Sequence, residues 1–309
     1  MTDRERALKA LTLQQPDYVP TFELEYQLGP EVFGRDFLRE EQLAGKTSQE
    51  IDYALKENAE FMIKVYSELG HSIIPIHYLS EKHIQDTARY INKITNQGFL
   101  LTTHGDGTFA IPDGNGLVEM IYWLYDEPEA GHEKARKNAD EAIERNKRMI
   151  DAGIESLILC SDYCFNDGPF LSPDMFAEFI QPYLHDICVG IRKEGGYAIK
   201  HTDGNIMPIL DMLVDCEPHA LHSLDPMAGV DMKVVKEKVG SKVALCGNVH
   251  CAHLQTGTDE QVLESCRYAM EHGKPGGGFI FCTSNIPFKG MPVERYDMVL
   301  DFWRKNRAY

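Results

Sequence analysis

A chain of 309 residues with a formal net charge of −17 repels nucleic acid and anionic membrane surfaces, which removes both as expected partners. Hydrophobic residues make up 43% of it, enough for a large core, yet no run reaches about 18 apolar residues, the length of a membrane span. The eight cysteines follow an amino terminus without the basic-then-apolar layout of a secretory signal, so they read as thiols or metal ligands in a cytoplasmic enzyme.

Residues 3 to 13 have the spacing of an amphipathic helix with Ala7, Leu8 and Leu11 inward. Gln-Gln-Pro-Asp breaks it, and Tyr18 to Glu25 reads as a first strand carrying Glu23 and Glu25 beyond Pro20. Residues 47 to 69 form a long helix opened by Thr-Ser-Gln-Glu, a capping start. Ser72 to His77 is an apolar strand. A small hairpin is expected over Thr87 to Phe99, leading into a strand from Leu100 to His104. Glu127 to Gly153 is helical, and the strand from Glu155 to Cys160 runs into Ser161-Asp162-Tyr163. Ser172-Pro-Asp opens a helix with proline just inside it. Further strands are expected at Tyr197 to His201, His219 to Leu224, Lys242 to Cys246 and Gly277 to Cys282. Helices are expected at Asp231 to Val239, 259 to 272 and 292 to 305.

Eight short apolar strands separated mostly by helices indicate parallel βαβ units. In about 300 residues they imply an α/β (β/α)8 TIM barrel, a single domain over residues 1–309. A doubly wound sheet would need a glycine-rich fingerprint after its first strand, and none is there.

Barrel active sites lie at the carboxyl ends of the strands. Those ends carry Glu23 and Glu25, His77, His104 and Asp106, Cys160 and Asp162, and His201 and Asp203. His222 and Asp225, Cys246 and Asn248, and Cys282 and Asn285 complete the ring. Packing alone does not end apolar strands so regularly in His, Asp, Glu or Cys, so a polar pocket able to hold a metal is expected. His201 and Asp203 would supply two ligands from one strand end, and Cys282 is the first choice for a third. The plainer alternatives are local: Asp203 caps the next helix, Asp162 caps its following segment, and Asn248 fixes the Gly247 turn.

Several segments resemble the uroporphyrinogen decarboxylase superfamily. They are Arg-Glu-Arg-Ala-Leu-Lys-Ala-Leu with Gln-Pro-Asp-Tyr-Val-Pro within residues 4 to 20, Gly168-Pro-Phe-Leu-Ser-Pro173 and His201-Thr-Asp-Gly-Asn205. Leu224-Asp-Pro-Met-Ala-Gly229, Cys246-Gly-Asn-Val249 and Gly276-Gly-Gly-Phe-Ile280 extend the match. The resemblance implies the same barrel. Its decarboxylases carry Arg-Gln-Ala-Gly-Arg after the first strand, where this chain has Glu23-Leu-Glu-Tyr-Gln-Leu-Gly29, and a key Asp near the place of His77. Glutamates at that position would repel a tetrapyrrole bearing many carboxylates.

The corrinoid-dependent methyltransferase branch is the closer resemblance. Its coenzyme M methyltransferases hold zinc with a His-x-Cys pair and a later Cys. His201 matches the histidine, Asp203 stands at the first cysteine, and the later cysteine falls at Cys282 or Asn285, with Cys246 a further candidate. A carboxylate in place of a thiolate makes a harder, more Lewis-acidic site, suited to polarising an oxygen or nitrogen leaving group. The resemblance therefore implies a zinc-dependent O-demethylase-type step, in which a methoxylated or N-methylated compound gives its methyl group to a corrinoid protein. Glu23, His77, His104, Asp162 and Asn248 would position the substrate or supply a proton. The chain has no Asp-x-His-x-x-Gly cobalamin signature, so the corrinoid would arrive on a partner, docking on an apolar patch such as Phe165, Phe170 and Phe288. The alternatives are a decarboxylase and a metal-free binding subunit.

Overall fold

The computed structural model describes residues 1–114 and 116–309. Its strands are β1 (Ile73–Pro75), β2 (Leu100–His104), β3 (Ser156–Leu159), β4 (Cys164–Phe165), β5 (Gly168–Pro169), β6 (Tyr197–His201), β7 (Ala220–Ser223), β8 (Ala244–Val249) and β9 (Phe279–Thr283). Seven of them form one sheet in the order β1-β2-β3-β6-β7-β8-β9, and every pair in it is parallel. β4 and β5 make a separate antiparallel ribbon after β3. Helices fall between successive strands of the sheet, as parallel pairing requires.

Alternation along the strands sorts the core into two clusters. Ile73, Leu100, Ile158, Ile199, Ala220, Ala244 and Ile280 pack with Phe22 and Leu24 in an inner one. Their chain neighbours Ile74, Leu101, Leu157, Ala198, Leu221, Leu245 and Phe279 join the outer one, against the helices. A sheet with one small cluster on its first face and a large one on the other is curled around the first.

Helix Asp3–Leu11 adds Ala7, Ala10 and Leu11 to the inner cluster. Arg4 bonds Gly98 and Glu155, and Asp3 accepts from Ser72, all residues just ahead of strands. The helix therefore stoppers the amino-terminal end of the curl. Leu8 is only partly buried, whereas Arg6 is buried, its charge met by Asp3 and Asp17.

The strand expected at Tyr18 to Glu25 makes only isolated bridges, Thr21 to Phe281 of the sheet and Tyr18 to Ala308. The Thr21 carbonyl accepts from Ser72 N at 2.8 Å, and its hydroxyl donates to Phe281 O at 2.6 Å. This segment thus touches both β1 and β9, the two edges of the sheet. Pro20 has no N–H to extend the ladder. What the hydrogen bonds define is an α/β fold with a curled parallel sheet of seven strands.

The hairpin expected over Thr87 to Phe99 is instead helix Glu81–Thr95. Ile84, Thr87, Ala88 and Ile91 are its buried face, the i, i+3, i+4, i+7 stripe of a helix. The helix of residues 48–69 begins at Thr47, which forms a capping box with Glu50. Ser172 caps its helix with Pro173 in the first turn. No helix among the described residues is long and apolar enough to cross a membrane.

Candidate metal centre

β6 ends at His201, and the chain then turns through Asp203-Gly204-Asn205. Gly204 has φ +80°, and a Cβ there would lie 2.4 Å from the Cys164 carbonyl oxygen. Only glycine lets this turn lie flat on the β4–β5 ribbon, where Asn205 N donates to Phe165 O at 2.9 Å. The same ribbon follows Asp162, so the carboxyl ends of β3 and β6 are fastened together.

His201, Asp203 and Asp162 each offer a donor atom, all within 4.8 Å of one another. His201 Nε2 lies 3.7 Å from Asp162 Oδ1 and 3.8 Å from Asp203 Oδ1. Asp203 N donates to Asp162 Oδ1 at 3.0 Å. Ser223 Oγ donates to Asp203 Oδ1 at 2.7 Å, and Asn285 Nδ2 donates to its Oδ2 at 2.5 Å. Ser223 and Leu224 both have left-handed backbone, φ 84° and 50°, at the end of β7. Such residues cost about 1–3 kcal/mol each, and here the turn aims the Ser223 hydroxyl at Asp203.

Burial pushes His201 below its ordinary range, against the pull of Asp203 and Asp162. Burial pushes Asp203 upward, with Asp162 and Asp225 adding to it and His201 and Ser223 opposing. A neutral imidazole beside crowded carboxylates presents one borderline nitrogen and two hard oxygens, a donor set suited to a divalent cation. A cation held by these three donors would keep at least one coordination position for another ligand.

Asp203 and Asn285 also border a cavity of about 420 Å³ shared with Asp225, Met227, Gln255 and Phe288. Of the aromatic patch expected near the mouth, Phe288 lines this cavity, Phe165 is exposed and Phe170 is buried in the core.

The remaining expected residues lie apart from the three donors. Cys282 is fully buried in the inner cluster with its Sγ 3.9 Å from Ile280 O, and burial pushes its thiol well up. It is not part of the donor group, nor is Cys246, also fully buried there. Glu23 alternates with Phe22 and Leu24 and so points to the helix side. Thr283 N and Oγ1 and the Tyr296 hydroxyl donate to its carboxyl, which burial pushes up to about 8. His77 Nε2 donates to Leu24 O at 2.8 Å, and its ring stacks on His104 with centroids 4.2 Å apart. Burial lowers both imidazoles, His77 to about 3. They line a separate cavity of about 360 Å³ with Tyr78 and Arg145. Asn248 is buried, its amide donating to Leu224 O at 2.9 Å.

Lys200, which sequence reasoning passed over, and Asp106, which it placed at a strand end without a role, hold the site together. Lys200 is fully buried, donating to Asp106 Oδ2 at 2.9 Å and Ser161 O at 2.8 Å, with Nζ 3.9 Å from the centroid of the Tyr163 ring. Asp106 also accepts from the backbone of Gly107, Thr108 and Ser161. The pair ties together β2, β3 and β6 beside the donors. Its signal was a lysine inside an apolar strand, Tyr-Ala-Ile-Lys-His.

Comparison with known proteins adds a family. Curated uroporphyrinogen decarboxylases from Vibrio vulnificus are 25% identical over 215 residues, 65% of this chain and 57% of theirs. The enzyme from Ovis aries is 26% identical over 163 residues, 48% of this chain and 41% of its own. The chain thus spans from 41% to 57% of the length of these curated relatives. Among solved structures, a methyltransferase from Methanosarcina mazei superposes with a TM-score of 0.75 at 16% identity, covering 99% of each chain, a likeness of fold. The sequence model described as uroporphyrinogen decarboxylase (URO-D) matches residues 112–305, well over half of the chain, and the protein belongs to that family.

Proposed function

We propose that the protein is a zinc-dependent methyltransferase that moves a methyl group from a small methoxylated or N-methylated substrate to a corrinoid carried by a partner protein. In this reading the segment around Thr21 is the remaining stave of a single-domain (β/α)8 barrel, working in the cytoplasm. The observation that carries the proposal is the group of Asp162, His201 and Asp203 at adjacent strand ends in a URO-D chain.

These three residues would hold the zinc. When bound, zinc supplies a Lewis acid that draws electron density from the substrate's oxygen or nitrogen. The protein's own residues do the rest. Ser223 and Asn285 fix the orientation of Asp203 through both of its oxygens. The cavity beside Asp203 and Asn285 receives the substrate, and Phe288 gives it an apolar wall. Cleavage leaves the bonding pair on the substrate's heteroatom as the methyl group departs. A reduced corrinoid on the partner would be the acceptor of that methyl group, at the open end of the sheet.

The test is direct. Purified protein should contain about one zinc per chain, lost in His201→Ala and Asp203→Ala, and should demethylate a substrate only with a reduced corrinoid protein present. A metal-free protein that transfers no methyl group across a broad panel overturns the proposal and leaves a binding subunit. The curated relatives favour a second reading, decarboxylation of uroporphyrinogen, which would release carbon dioxide from that substrate. Against it stands the Glu23 to Gly29 segment, which has no arginine to meet a polycarboxylate.

A further inference from the structure

We infer that His222 is a positioning residue: it fixes the tautomer in which His201 turns the Nε2 lone pair toward Asp162 and Asp203. The inference rests on the metal-centre reading above and concerns how the imidazole is made ready for it.

A neutral imidazole has one N–H and one lone pair, so its two nitrogens cannot do the same work. In His201 the nitrogen nearest the carboxylates is Nε2, at 3.7 and 3.8 Å. To bind a cation there, the ring must keep its proton on Nδ1, and a buried N–H needs an acceptor. His201 Nδ1 lies 3.0 Å from His222 Nδ1. The sheet register delivers this contact, because His201 and His222 are direct partners across β6 and β7.

Metal-bound histidines generally donate their second N–H to a carboxylate, carbonyl or water, which sets tautomer and ring orientation. Here a second imidazole takes that role. With its Nδ1 accepting from His201, His222 must carry its own proton on Nε2. That atom is buried without a hydrogen-bond partner, and the ring meets Phe22 edge-on, centroids 5.7 Å apart. Its neighbours across the sheet's inner face include Phe22, Ala220 and Cys246. A leucine would satisfy that packing with no polar atom of its own, but it would leave His201 Nδ1 without an acceptor. The fold carries an unsatisfied imidazole at this position, and the contact it makes is the one to His201.

The experiment compares zinc affinity in wild type, His222→Leu and His222→Asn, by competition of zinc chloride with a chromophoric chelator, alongside thermal melts of the zinc-free proteins. Nitrogen-15 NMR reports the tautomer of His201 in the wild type. The expected result is about a 10–100-fold loss of zinc affinity in His222→Leu. His222→Asn, whose amide oxygen can accept the Nδ1 proton, should recover most of it. Zinc-loaded wild type should show His201 protonated at Nδ1. Equal affinity in wild type and a folded His222→Leu overturns the inference, as does a proton on His201 Nε2 in the loaded protein. Should the leucine variant fail to fold, the tautomer and the asparagine variant decide. A wild type that takes up no zinc overturns the metal-centre reading, and this inference falls with it; uptake by wild type matched by the leucine variant overturns this inference alone.

Discussion

Replacing Asp106 by Asn should be among the most damaging single changes in the chain. Lys200 is fully buried and the Asp106 side chain is 9% exposed, so neither charge can be rescued by water. Burial pushes Asp106 up, but Lys200 and the donors from Thr108 and Ser161 outweigh it and hold the carboxyl at about 2, from an ordinary 3.8. That difference is worth about 2–3 kcal/mol. Since the folded value is depressed, the contribution is complete above about pH 4 and is lost as pH falls toward 2. Asp106→Asn removes the charge and leaves the Lys200 ammonium buried and uncompensated, at a cost of about 3–5 kcal/mol. Lys200→Met leaves Asp106 its backbone donors and should cost less. The double variant, with no stranded charge, should be more stable than Asp106→Asn alone. Urea denaturation at pH 7 across the four proteins closes the cycle. Additive losses, or a loss below about 1 kcal/mol in Asp106→Asn, would refute the reasoning.

Glu23→Gln should change how stability depends on pH. With the folded carboxyl raised to about 8 from 4.5, its contribution to wild-type stability is fully present below about pH 4.5 and is lost as pH rises toward 8, by at most about 5 kcal/mol. The glutamine variant lacks this slope, so melting curves at pH 5 and 8 should differ less for it than for the wild type; parallel shifts would refute this. Cys282→Ala should keep its zinc, because the thiol lies outside the donor group, and metal analysis that finds it lost would reinstate this cysteine as a ligand. Gly204→Ala should lower both the thermal midpoint and zinc affinity, since the new methyl would strike the Cys164 carbonyl; unchanged binding would mean that the turn does not set the site.

Much of this arrangement was legible because local chemistry and the fold agree. Thr47 and Ser172 announce their helices by cap residues, and the strands stand out as short apolar runs. Helix Glu81–Thr95 was hidden because its buried stripe includes Thr87 and Ala88, which weaken the apolar signal, among residues that also occur in turns. His201 and Asp203 were readable from their place after an apolar strand. Cys282 was chosen as a zinc-ligating residue type on the closing strand, but the pleat directs it into the apolar interior, beside the Asn248 register position. Depth along a strand cannot be counted from composition. Asn285, three residues further on, is the side chain from that strand end that reaches Asp203. The Lys200–Asp106 pair joins residues 94 positions apart, a distance at which no sequence pattern links them.

The stopper formed by helix Asp3–Leu11 has a kinetic corollary. With the amino-terminal end of the curl filled by Ala7, Ala10 and Leu11, the approach to His201 among the described residues lies at the carboxyl ends of the strands. On the proposed activity, the small methyl donor and the bulky acceptor protein must share it. The donor would then have to enter first, and the demethylated product would stay behind until the partner lifts away. Turnover would then proceed in a compulsory order, with excess partner protein slowing it by standing in the entrance.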